Sequence, residues 1–173
     1  STYKLLVAYS LLKRIDSGAR SWDSDQACFN KMISLSDNAC AESFLNAIGV
    51  STLTSEANAI GLKNSTFMKG GGPYTTANDQ ALLLGMIATG QNFSSANQQR
   101  LLETMKKNIY RKGIPAGVSG TIADKVGFMN GLLHDSAIVY GSHGTYVLSI
   151  MTDGASWEAI ADLAKQLDAL RAQ

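Results

Sequence analysis

The chain has 173 residues, 45% of them hydrophobic and 17% charged, with a formal net charge of +1. That size and mixture suit one soluble globular domain with its own core, and exclude a disordered or membrane-embedded chain. The near-neutral balance, with no run of like charges, removes the electrostatic case for nucleic acid or anionic lipid as partner; no apolar stretch is long enough to span a membrane, and no leader is visible.

The opening "STYK" sets Ser1 and Lys4 three residues apart, one above the other on a helix face, a hydroxyl beside an amine. Residues 4–16 are apolar around most of their circumference, which predicts a buried central helix, stopped by Ser17 and Gly18. "SWDSD" reads as a polar connector, followed by short helices over 27–35 and 39–48 on either side of "SDN". That helix–turn–helix would bring Cys28 and Cys40 within bridging reach. A disulfide, with the oxidising compartment it implies, and a pair of buried free thiols in a cytosolic protein both remain open on spacing alone. "STLTSEANAIGL" begins another helix, capped by Ser51 or Thr54. "KGGGPYTTAND" is a loop, because three glycines before a proline sustain neither helix nor strand. Helices over 79–89 and 95–109 follow.

From Gly120 the pattern changes. "GTIADKVGF", "SAIVYG" and "TYVLSIMT", separated by "MNGLLHD" and "GSHG", predict an antiparallel meander with strands near 122–128, 136–140 and 146–152 in sequential order. Ser156 caps a last amphipathic helix to Arg171. The layout is α+β: a helical cluster, then an antiparallel sheet closed by a C-terminal helix, in one domain over 1–173. The open edge of so small a sheet calls for further strands or a helical cover.

S-x-x-K alone is a weak signal, since an N-cap serine followed by a solvated lysine gives the same letters. Two further elements change its weight. "SDN" at Ser36, Asp37 and Asn38 and "KVG" at Lys125, Val126 and Gly127 complete, in chain order, a three-part signature of serine acyl transfer.

With these residues the chain resembles the class A β-lactamase and penicillin-binding-protein superfamily, from Ser1 to the last helix. "STYKLLVAYSLLKRIDSG", "MISLSDNACAESFLNAIG", "TTANDQALLLGMIATG", "GIPAGV", "ADKVG" and "HDSAIVY" each stand where that family's segments would. The resemblance implies a Cys28–Cys40 disulfide and an extracytoplasmic location, secreted, periplasmic or at the cell surface. It also implies an acyl-enzyme on Ser1 with a β-lactam or a D-alanyl peptidoglycan peptide, without metal or cofactor. Lys4, desolvated beside Lys125, would be the base that activates the Ser1 hydroxyl. Ser36 would relay the proton to the leaving nitrogen, and Asn38 would hold the substrate's amide. Lys125 would pair with a substrate carboxylate, and Gly127 would let the substrate backbone lie against the strand. The oxyanion hole maps to the backbone N–H groups of Ser1 and Phe128. Were Ser1 the true terminus, its nitrogen would be a charged amine and not an amide. The expectation is therefore a catalytic portion of a larger domain, with strands and a helix preceding Ser1.

Departures from the pattern shape the expected activity. The connector "GARSWDSDQAC" is abrupt, and Val126 replaces the usual hydroxyl residue between lysine and glycine. The stretch 48–75 lacks the E-x-x-L-N element whose glutamate activates the deacylating water, offering only Glu56 inside a predicted helix. Slow deacylation, closer to penicillin binding or a DD-carboxypeptidase than to an efficient lactamase, is the expectation. A degenerate cell-wall-binding domain of the same fold is the rival from another class. An N-terminal-nucleophile hydrolase would use the Ser1 amine as its own base, but would not need "SDN" or "KVG". His134 and His143 read as ordinary turn residues without partners at metal spacing, and Asp124 and Asp135 as local caps or pairs.

Overall fold

A computed structural model describes residues 1–173. Helix α1 (Lys4–Asp16) buries every residue from Lys4 to Leu12, so it runs through the centre of the helical cluster. Around it lie α2 (Trp22–Ser34), α3 (Asn38–Ile48), α4 (Val50–Ala59), α5 (Ala77–Thr89) and α6 (Ser95–Lys106). The short α7 (Ile114–Gly117) leads into β1 (Thr121–Met129), β2 (Leu132–Gly141) and β3 (Gly144–Asp153), and α8 (Trp157–Arg171) ends the chain. The sheet is antiparallel in the order β1-β2-β3, the sequential meander that the sequence predicts. None of the helices is long and apolar enough to cross a membrane.

Several boundaries differ from the sequence reading, each for a local reason. Helix α2 starts at Trp22, so "SWDSD" holds its N-cap and first turn and is no connector. Asp23 and Asp25 lie in that turn, where negative charge favours a helix N-terminus. Asp25 also accepts two hydrogen bonds from Arg20, at 2.7 and 2.8 Å. Helix α4 starts at Val50 because Gly49, at φ +93°, turns α3 directly into it. Ser51 and Thr54 are therefore inside the helix; Thr54 Oγ1 accepts from the Phe67 N–H at 2.9 Å and ties down the following loop. Helix α6 stops at Lys106, since the Ile109 N–H has been captured by the Ser34 carbonyl at 3.1 Å. The "MNGLLHD" separator reduces to the Asn130-Gly131 turn, with both residues at positive φ (51° and 86°), as a tight hairpin requires. Leu132 through Asp135 belong to β2.

Alternation along the strands divides the apolar residues between two cores. On one face Ile122, Ala137, Val139 and Ile150 meet Ile160 and Ala164 of α8 and Ile114 of α7. On the other, Ala123 and Ile138 join α1 in the larger cluster, and Lys125 faces the same way. Cys28 of α2 and Cys40 of α3 form a disulfide with their Cα atoms 5.2 Å apart.

Candidate active site

The turn between α2 and α3 is the pivot of the site. Ser36 adopts φ +59°, a left-handed conformation that costs a non-glycine residue of order 1–3 kcal/mol unless its surroundings hold it there. The Asp37 carboxylate accepts the Cys40 N–H at 2.8 Å and caps α3, and the disulfide ties the two helices together. The strained turn thus aims both the carbonyl and the hydroxyl of Ser36 at α1.

Lys4 receives them. Its side chain is fully buried, and its Nζ contacts Ser36 O at 2.7 Å, Asn38 Oδ1 at 2.7 Å, Ser36 Oγ at 3.1 Å and Ser1 Oγ at 3.1 Å. An ammonium has three hydrogens for these four oxygens. A neutral amine would donate to the two nearer ones and keep its lone pair for a hydroxyl hydrogen. Burial pushes Lys4 down to about 8, against the opposing pull of Asp37 and Glu42.

Lys125 completes the row from β1. Its buried Nζ donates to Ser36 Oγ at 2.9 Å and to the Val126 carbonyl at 2.7 Å. Burial, reinforced by the nearby Lys4 charge, lowers it to about 7, although Asp124 and Asp135 act in the other direction. Ser1 Oγ, Lys4 Nζ, Ser36 Oγ and Lys125 Nζ therefore form a continuous line of contacts no longer than 3.1 Å. Beside it, a Cβ on Gly127 would lie 2.9 Å from the Ser1 nitrogen and 3.0 Å from that of Thr2, so only glycine lets β1 run this close. Phe128 is 46% exposed, its ring edge-on to Tyr110 at 5.4 Å and Trp157 at 6.4 Å.

A cavity of about 460 Å³ opens over Ser1 and Asn38. Its walls include Tyr3, Glu42, residues 71–74 of the glycine-rich loop, Phe128, Met129 and His134. Two of these escaped the sequence reading. Glu42 looks like one more solvated helix residue, and only its position four residues beyond Asn38 signals the shared face. His134 is not a turn residue but lies in β2, where its Nδ1 accepts the Thr152 N–H at 3.2 Å and burial lowers its pKa. His143 does fall in the β2–β3 turn. Glu56 is paired on α4 with Arg14 at 2.7 Å and Lys13 at 3.4 Å, and is no part of the cavity wall.

Asp124 and Asp135 are more than local caps. Both are fully buried on the sheet face opposite Lys125. Arg111 donates to Asp124 Oδ1 at 3.0 Å, and the Ile114 N–H to Asp135 Oδ2 at 2.9 Å. Burial raises both carboxyls, Asp135 well above the usual range, where the neighbouring Asp124 charge adds to the effect.

A cluster of helices backing a three-stranded antiparallel sheet closed by a C-terminal helix is the fold of solved β-lactamase and PBP-A structures. The family model described as "Beta-lactamase enzyme family" matches residues 24–170, and the chain belongs to that family. Among solved structures, a PBP-A mutant in an acyl-enzyme complex with penicillin G is similar over 99% of this chain and 81% of its own, at 21% identity and a TM-score of 0.90. The β-lactamase from Sphaerobacter thermophilus gives 17% identity over 99% of this chain and 82% of its own, with a TM-score of 0.91. A variant of the class A β-lactamase of the last common ancestor of Gram-negative bacteria gives 22% identity, 98% and 82% coverage, and a TM-score of 0.87. No curated protein matches the chain significantly.

Proposed function

We propose that the chain, as a single catalytic domain, is an extracytoplasmic serine hydrolase that forms an acyl-enzyme on Ser1 with β-lactams or D-alanyl cell-wall peptides. The observation that carries this reading is the row Ser1–Lys4–Ser36–Lys125, in which both amines are held near neutrality. A lysine at about 8 has a usable fraction of free amine at neutral pH, so Lys4 can take the Ser1 proton as Oγ attacks the acyl carbon. Ser36 Oγ, between the two amines, returns a proton to the leaving nitrogen. Asn38 spends its Oδ1 on Lys4 and keeps its NH₂ for the substrate's acyl carbonyl. The buried Lys125 supplies the positive charge that attracts a substrate carboxylate, and a bound anion favours its ammonium form. The N–H groups of Ser1 and Phe128 serve as the oxyanion donors, brought together by the close approach at Gly127.

The penicillin adduct of the PBP-A mutant supports the substrate class, and the disulfide supports an oxidising compartment. Acylation is well provided for; deacylation is the slow step. Intact mass after incubation with penicillin G tests the reading. A covalent adduct is expected on the wild type and none on Ser1→Ala. A wild type that neither forms an adduct nor hydrolyses any β-lactam or D-alanyl peptide would favour the binding-domain alternative.

A further inference from the structure

An ester on Ser1 is released only when water attacks its carbonyl, and that water needs a group to take its proton. Glu42 lines the same cavity as Ser1. It is four residues beyond Asn38 on α3, so the two side chains share a helix face with Cβ atoms about 5–6 Å apart. Asn38 itself bonds Lys4 at 2.7 Å, which places Glu42 one helical turn from the reacting row. Its charge is felt there, since it raises both Lys4 and Tyr3. Glu42 enters none of the chain's five ion pairs and is exposed, so its oxygens are free for water. At Gly71 and Gly72 the cavity wall carries no side chain, and a Cβ at either would meet nothing within 4 Å, so solvent has room to enter. Glu42 is the one carboxylate in the cavity wall, and it shares α3 with Asn38 and acts on Lys4.

We propose that Glu42 is the general base for hydrolysis of the Ser1 ester, an assignment that rests on the acyl-serine reading above. The water oxygen bonds to the acyl carbon as its proton passes to the Glu42 carboxylate. The C–Oγ bond then breaks, Oγ takes a proton from the Lys4 ammonium, and Glu42 hands its proton back to Lys4 through cavity water. The products are the free acid and the starting serine.

Stopped-flow acylation by penicillin G, followed by time-resolved mass spectrometry of the adduct, separates the two steps in wild type, Glu42→Gln and Glu42→Asp. In Glu42→Gln the adduct should decay about 10²-fold more slowly or beyond, the usual cost of a lost general base. Its acylation should shift to lower pH and be faster at pH 7, because Lys4 loses an anion that favours its charged form. Glu42→Asp should fall between. Opposite effects on the two steps are not what a distorted site would give. Decay at the wild-type rate in Glu42→Gln, or equal slowing of both steps, overturns the assignment. So does a selective loss of acylation by penicillins that bear an amino group, which would make Glu42 a counter-ion for substrate. A wild type without adduct or turnover sinks the acyl-serine reading itself.

Discussion

Ser36 performs two tasks that pull against each other. Its left-handed backbone favours glycine, while its hydroxyl is the bridge between two buried amines. Ser36→Gly should therefore be more stable than Ser36→Ala by about 1 kcal/mol, the cost of placing a Cβ in that region. Both should slow acylation by about 10²–10⁴ if the hydroxyl carries the proton to the leaving group. Thermal melts and single-turnover kinetics on the two variants check the separate halves. The buried lysines impose their own pH signature. Their pKa values are lower in the folded protein, about 8 and about 7 against 10.5, so the unfolded chain binds more protons in between. Stability from these two groups should rise with pH from about 7 towards 10 and be lost as pH falls. Acylation should rise through about pH 8 as Lys4 becomes free amine. At this scale the sequence announced Ser1, Lys4, Ser36, Asn38 and Lys125 through their motif spacing. Glu42 was hidden because an exposed glutamate on an amphipathic helix carries no mark of its own.

Among elements, the α2–α3 pair and the β1–β2 pair each make a checkable claim. The disulfide closes a loop with a sequence separation of 12, worth about 3 kcal/mol in the chain-entropy description. Reductant, or Cys28→Ser with Cys40→Ser, should lower the melting temperature by several degrees and slow acylation, because the Ser36 turn is held between the same two helices. A loss of stability with acylation kinetics untouched would show that the turn holds itself. On the sheet, Asp124 and Asp135 have raised folded-state values, so the folded protein binds the extra proton. Their contribution is best near pH 4 and weakens as pH rises towards the raised values, opposite in sign to that of a salt-bridged carboxylate. Asp135→Asn should flatten this slope in denaturant titrations across pH 4–7. The strands are readable from alternation, yet alternation places their ends short. The predicted strands start at 136 and 146, whereas backbone pairing runs back to Leu132 and Gly144, the residues that flank the Asn130-Gly131 and Ser142-His143 turns. The starts of α2 and α4 were missed for a related reason, since polar first turns and a glycine junction look like loop until packing fixes them.

For the molecule as a whole, the order of elements and the α+β layout were legible because helical and strand periods occupy separate parts of the chain. What periodicity could not supply was the division of the interior into one cluster of 23 buried residues and another of 7. Remote positions should accordingly act on stability alone. Glu56→Gln, far from the cavity wall, should leave both acylation and deacylation unchanged and cost no more than about 1 kcal/mol. Ile160→Ala, which empties part of the smaller cluster, should cost about 2–4 kcal/mol. The two-cluster interior has a further consequence for dynamics. Helices α8 and α7 are packed on the smaller cluster, with the Tyr146–Asp168 hydrogen bond at 2.6 Å as a polar tie, and have no residue in the larger one, so they form the cheaper cooperative unit. Amide hydrogen exchange should show α8 opening by itself, while α1 and α3 exchange only through global unfolding. Each such excursion uncovers the far side of β1, and with it the buried carboxyls of Asp124 and Asp135, without breaking into the row of contacts on the near side. A single strand therefore separates the part of the molecule that opens from the part that must stay shut.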